Sequence, residues 1–139
     1  TKSLIYMLNY PPKILIAFGQ TFSDNGEEFQ TLLLENGYPE LAALSSGIRG
    51  STEAINWLLK NKYHHFAAFD DAIDKKKAAI EWLIKYEYDF LVVFAEAINE
   101  KPEAIAWFAK HDLKIFIMLA SKISSYRNNQ TFDYHKLHF

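Results

Sequence analysis

Apolar side chains return along this chain at a fixed interval. In EAINWLLKNK (53–62), AAIEWLIKYE (78–87) and EAIAWFAKHD (103–112), Trp57, Trp82 and Trp107 stand 25 residues apart. The same register aligns Ile55, Ile80 and Ile105, then Lys60, Lys85 and Lys110. A second set of columns holds Leu44, Phe69, Phe94 and Leu119, and Ile48, Ile73, Ile98 and Ile123. One step back, Leu32 in QTLLLENGY marks a weaker copy. A further step of 26 reaches Tyr6 in LIYMLNY, with Leu15, Phe18 and Phe22 matching the later apolar columns. Five units follow, at 1–24, 25–49, 50–74, 75–99 and 100–124, with a tail over 125–139.

Each unit reads as a pair of short helices. KKKAAIEWLIKY is built of good helix formers. FLVVFAEAI places Leu91, Phe94, Ala95 and Ile98 on one helical face. Its Val-Val pair favours a strand, but the matching HFAAFDDAI and ELAALSSGI are rich in Ala, so the column is expected to be helix. Asp24, Asp74, Asn99 and Ser124 recur at unit boundaries, where their oxygens are expected to cap the next helix. Asp24 with Glu27 has the spacing of a capping box, and Pro102 falls in a first turn. A unit of this size cannot bury an apolar face alone. Stacking neighbours makes a continuous core, so the expected fold is all-α: an α-solenoid of five stacked helix pairs, with the three Trp forming a ladder. Phe132, Leu137 and Phe139 would let the tail fold back as a cap; a disordered or partner-bound tail is the alternative.

GSTEAINWLLKNK (50–62) resembles the second helix of an ankyrin repeat, which typically runs Gly-His-x-x-Ile-Val-x-Leu-Leu-Leu-x-x-Gly. LLLENGY (32–38) is similar to the end of that helix, with Gly37 at the helix-ending glycine, and PELAALSSG (39–47) is similar to the preceding ankyrin helix. The units are shorter than the ~33 residues of that family, and the missing segment corresponds to its projecting β-hairpin. The Thr-Pro-Leu-His signature is absent, and Lys62, Glu87 and Asp112 replace the terminal Gly. The resemblance implies an ankyrin-like stack without hairpins, whose partner-binding face is lined by the second helices and the loops before them.

Composition narrows the functions. Half of the 139 residues are hydrophobic and 16% are aromatic, too apolar for disorder. Net charge is −2 and the pI is near 6.2, so no global positive field recruits nucleic acid or an anionic membrane. No run approaches the ~18 apolar residues of a membrane span, and the apolar start is too short for a signal peptide. The absence of Cys excludes disulfides and thiolate chemistry. Cytoplasmic residence is the default. A start at Thr1 rather than Met is expected of a processed product or a piece of something longer.

Candidate chemistry is sparse. His111-Asp112, with His64 or His65 and Asp133, is the ligand set of an all-α metal-dependent hydrolase on paper; the same column holds Asn61-Lys62 and Tyr86-Glu87, ordinary polar helix ends. Asp70, Asp71 and Asp74 form an acidic cluster that Lys75, Lys76 and Lys77 largely offset. The sequence calls for no catalytic residue, no metal and no cofactor. One column is more informative. Tyr38, Tyr63 and Tyr88 recur in the loop before the second helix, and Leu113 breaks the row. Tyrosine suits partner binding, and packing against the next unit is the competing role. His64, His65 and Asp89 vary beside the row. The units carry +1, −3, −2, 0 and +1, and the tail +1. The expected function is a scaffold for a protein partner at Tyr38, Tyr63, His64, His65, Tyr88 and Asp89, with self-association open to a stack whose ends are uncovered.

Overall fold

A computed structural model describes the backbone of residues 9–137 and the side chains of residues 9–130. Tyr6 and Phe139, invoked above, lie outside the described residues, as do the side chains of Phe132, Asp133 and Leu137. Among the described residues there are nine helices and no strand: α1 (Pro12–Gln20), α2 (Gly26–Glu35), α3 (Pro39–Ile48), α4 (Thr52–Lys60), α5 (His64–Ile73), α6 (Lys77–Lys85), α7 (Asp89–Ile98), α8 (Pro102–Lys110) and α9 (Lys114–Leu137). The starts of α4, α6 and α8 fall 25 residues apart, as do those of α3, α5, α7 and α9. The segment carrying Val92 and Val93 is helix. Pro12, Pro39 and Pro102 each open a helix, where the missing N–H has no partner to lose.

Two layers result. Helices α3, α5 and α7 are buried over most of their length, whereas α2, α4 and α6 each bury one leucine, Leu33, Leu58 and Leu83. In the same register α8 buries Phe108. Each outer helix bridges two inner ones: α2 rests on α1 and α3, α4 on α3 and α5, α6 on α5 and α7, α8 on α7 and α9. The inner helices pack in the order α1, α3, α5, α7, α9, and α9 then packs on α1, so the series closes on itself. Phe18, Leu44, Phe69, Phe94 and Leu119 are all fully or almost fully buried, one from each inner helix. Phe69 stacks on Phe94 at 5.1 Å, and Phe94 meets the edge of Phe116 at 5.5 Å.

Closure depends on a small residue. A Cβ on Gly19 would stand 2.8 Å from Cδ2 of Leu119, so glycine lets α1 approach α9. Phe22 adds an edge-on contact to Tyr126 at 5.9 Å. Helix α9 continues through the tail rather than turning back over the apolar end. At the C-terminal ends of the inner helices, Arg127 of α9 donates to Asp74 at the end of α5 (3.0 Å), joining two helices that are not otherwise neighbours. Thr21 and Ser45 share a hydrogen bond of 2.6 Å at the same end, and Arg49 donates to Ser45. Cationic groups belong there, since helix C-termini present unpaired carbonyls and partial negative charge.

Three local expectations are corrected. Asp74 and Asn99 follow the last turn of α5 and α7 instead of capping the next helix. Asn99 donates backwards, to the carbonyls of Ile73 (2.9 Å) and Ala95. Helix α2 starts after Asn25, with no side-chain cap from Asp24. Among the described residues only Ser51 caps forward, accepting from the Ala54 N–H. The reason lies two residues past each helix, where Lys75 and Glu100 take left-handed φ of 62° and 64°. That turn adds two residues and moves the boundary to Lys76 and Lys101. Finally, the Trp ladder does not form. Successive outer helices come no closer than 8 Å between Cα atoms, and each Trp stacks on a ring near its own helix end instead: Trp57 on Tyr63, Trp82 on Tyr88, Trp107 on His111.

Candidate functional site

Each outer helix ends in the same hairpin. The second residue after each helix takes a positive φ: Gly37 (84°), Lys62 (69°), Glu87 (65°) and Asp112 (57°). The next N–H then reaches back five residues, from Tyr38 to Leu33, Tyr63 to Leu58, Tyr88 to Leu83 and Leu113 to Phe108, at 2.7–2.9 Å. This is the Schellman geometry that satisfies the last carbonyls of a helix. It also fixes where Tyr38, Tyr63 and Tyr88 stand, each at the residue just before an inner helix.

The tyrosines are half-buried and packed. Tyr63 lies parallel to Trp57 (6.0 Å) and Tyr88 parallel to Trp82 (6.0 Å). His65 joins the two sets: its ring stacks on Tyr88 at 4.9 Å and tilts against Tyr63 at 6.1 Å. A continuous line of rings therefore runs Trp57, Tyr63, His65, Tyr88, Trp82. Tyr38 meets Tyr10 edge-on at 5.8 Å, and the Tyr10 hydroxyl donates to Glu40 at 2.8 Å. Burial, reinforced by His64, pushes the His65 imidazole down to about 4, so the ring is neutral at physiological pH.

Between the hairpins after α4 and α6 lies a cleft of about 230 Å³, lined by Lys62, His64, His65, Trp82, Tyr86 and Tyr88. Sequence reasoning named three of these, His64, His65 and Tyr88. It missed Lys62, Trp82 and Tyr86, because the first helix of a unit was read only as scaffold. The signal was present: Tyr86 replaces Asn61 and His111 of the neighbouring units. Tyr86 is exposed, as are His64 and Asp89, while His65 is buried. The Lys85 ammonium sits 5.4 Å from the centre of the Tyr86 ring, within cation–π range. Tyr38 is outside this cleft, beside Tyr10.

The remaining candidates are dispersed. His111 donates from Nδ1 to the Trp107 carbonyl (2.8 Å) and stacks on the Trp107 ring at 4.2 Å, at the end of α8. Among the described residues no three His, Asp or Glu side chains come together to hold a metal ion. Asp71 pairs with Lys76 (3.2 Å) and Asp74 with Arg127. Asp70 stands in the column of Gly19, Ser45, Ala95 and Ala120, facing its neighbours where small residues are otherwise used. Burial, then the carboxylates of Asp74 and Asp71, push it up to about 6, with Arg127 opposing. No helix among the described residues is long and apolar enough to cross a membrane. No protein-family model matches the chain, and no curated protein or solved structure matches it.

Proposed function

We propose that the chain is a short α-solenoid of ankyrin-like helix pairs without hairpins, and that it works as a protein-interaction scaffold in the cytoplasm. The observation that carries this reading is the cleft of Lys62, His64, Trp82, Tyr86 and Tyr88, set on hairpins whose geometry repeats from unit to unit. Aromatic and cationic side chains held by a packed frame lose little freedom on binding, and such residues dominate interface energetics. The inner helices are consumed by the core over most of their length, which leaves their first turns, the loops before them and the ends of the outer helices as the contact surface. His65 supports the cleft from beneath. His64, Tyr86 and Asp89 touch the partner. The fold supplies no function by itself; the proposal rests on the site.

Affinity capture from the source cell tests it, comparing the intact chain with a His64→Ala, Tyr86→Ala double variant. Both positions are exposed, so the variant retains the fold. A discrete partner held by the intact chain and lost by the variant supports the scaffold and its face. A partner held equally by both refutes the face, and no partner above background refutes the scaffold.

A further inference from the structure

A second concavity adjoins the cleft and shares His64 and Trp82 with it. It runs between α4 and α6, whose Cα atoms come no closer than 8 Å, with α5 as its floor, and measures about 340 Å³. The floor is Ala67, Ala68 and Asp71, whose carboxylate is paired with Lys76, and the walls are Ile55 and Leu59 on one side and Ala78 and Trp82 on the other. Leu59 is 42% exposed.

The flanking units fill the equivalent space. Between α2 and α4, Gln30 donates to the Ala42 carbonyl (2.8 Å) and to Ser46, and accepts from Arg49. Between α6 and α8 the floor is Val92 and Val93 in place of the two alanines. Ala78 stands where the neighbouring units carry Glu53 and Glu103. This groove alone is both floored by alanine and cleared of its wall carboxylate.

Its charge selects the occupant. At the C-terminal ends of α4 and α6 stand Lys60, Lys62 and Lys85, against the carboxylate of Glu87. At the other end Lys75 is exposed, while Lys76 and Lys77 are engaged by Asp71 and Glu81. We propose that the α4–α6 groove binds an acidic amphipathic helix of a partner protein. Its apolar face would lie on the alanine floor between Leu59 and Trp82, and its carboxylates would meet Lys60, Lys62 and Lys85. Small residues in the floor let a helix approach closely, and anchors at i, i+3, i+4 and i+7 match a groove of this kind. The proposal rests on the scaffold reading and names the partner's chemistry.

The test uses the full chain and a synthetic probe of roughly four helical turns, with Leu on one face and Glu on the rest. A second probe carries Lys in place of Glu, and a third is a scrambled Glu peptide. Binding is followed by heteronuclear NMR titration. The Glu probe is expected to shift Ala67, Ala68 and Ala78 saturably, and neither control to do so. Ala78→Glu, an exposed change to the neighbouring units' own residue, is expected to weaken binding at least about tenfold with an unchanged urea midpoint. Lys60→Glu with Lys62→Glu is expected to do the same. Equal binding of the Lys or scrambled probe, shifts elsewhere, an indifferent Ala78→Glu, or a groove covered by a second copy in solution would each overturn the proposal. A natural partner still captured by Ala78→Glu but lost from the His64→Ala, Tyr86→Ala variant would leave the scaffold standing and remove the groove.

Discussion

Replacing Lys75, Glu87 and Asp112 together by glycine is expected to make the protein more stable. All three side chains are exposed, and none makes an ion pair or side-chain hydrogen bond among the described residues. Their φ values of 62°, 65° and 57° lie in the left-handed region, where a Cβ costs about 1–2 kcal/mol. Glycine removes that cost but frees the unfolded chain, which returns about 0.4–1 kcal/mol. The net gain is roughly 0.5–1 kcal/mol per site. The sites close different hairpins and share no partner, so the gains add, to about 2 kcal/mol. For a chain of this size that corresponds to a rise in Tm of roughly 5–10 °C. Calorimetry and urea unfolding measure it directly. Gly37→Ala is the reverse control: nothing lies within 4 Å of the added Cβ, yet φ is 84°, so the same two terms with opposite sign predict a net loss of roughly 0.5–1 kcal/mol. A triple variant no more stable than the parent would refute the reading that these hairpins store strain.

The other predictions concern the core, the closure and pH. Phe69→Ala removes a fully buried ring stacked on Phe94 and should cost about 3–5 kcal/mol in urea unfolding. Arg127→Ala breaks a half-exposed ion pair with Asp74 and should cost no more than about 1 kcal/mol. Because α1 and α9 pack on each other, their amides should exchange at rates near those of α5; rapid exchange in both end helices would show that closure does not hold in solution. Asp70 and His65 should oppose each other. The Asp70 carboxyl is raised to about 6 in the folded chain, so its contribution is full below the ordinary carboxylate range and is lost as pH rises towards 6. The His65 imidazole is lowered to about 4, so its contribution is full above the ordinary imidazole range and is lost as pH falls towards 4. Asp70→Asn should therefore stabilise the protein at pH 7, change nothing near pH 3.5, and steepen the loss between pH 6 and 4; a pH-independent effect would refute the assignment.

What could be read from the chain, and what could not, divides along one physical line. Helix content followed from local information. Helix-forming residues, the alanine-rich columns and Pro102 at a first turn each act within a few residues, and Pro102 stands where that signal puts it. The helix boundaries failed where backbone conformation contradicts residue type. Lys75 and Glu100 give no sign of a positive φ, so Asp74 and Asn99 looked like forward caps. The equivalent hairpin at Gly50 does show it, and there Ser51 caps as its type demands. The Trp ladder failed for a reason of distance. Residues 25 apart in sequence are neighbours only if their helices touch, and the outer helices are held apart by the inner ones. Closure was hardest to see, because the contact of Gly19 with Leu119 spans nearly the whole chain. The small-residue column Gly19, Ser45, Ala95 and Ala120 was its trace, and Asp70 is the member that breaks the column. The candidate cleft was half legible for the same reason. His64, His65 and Tyr88 share a loop position and could be aligned, whereas Trp82 and Tyr86 enter from the preceding helix of the next unit. The gap between α4 and α6 that allows them to meet His64 is also the gap that prevents the Trp ladder, so the failed expectation and the proposed site have one cause.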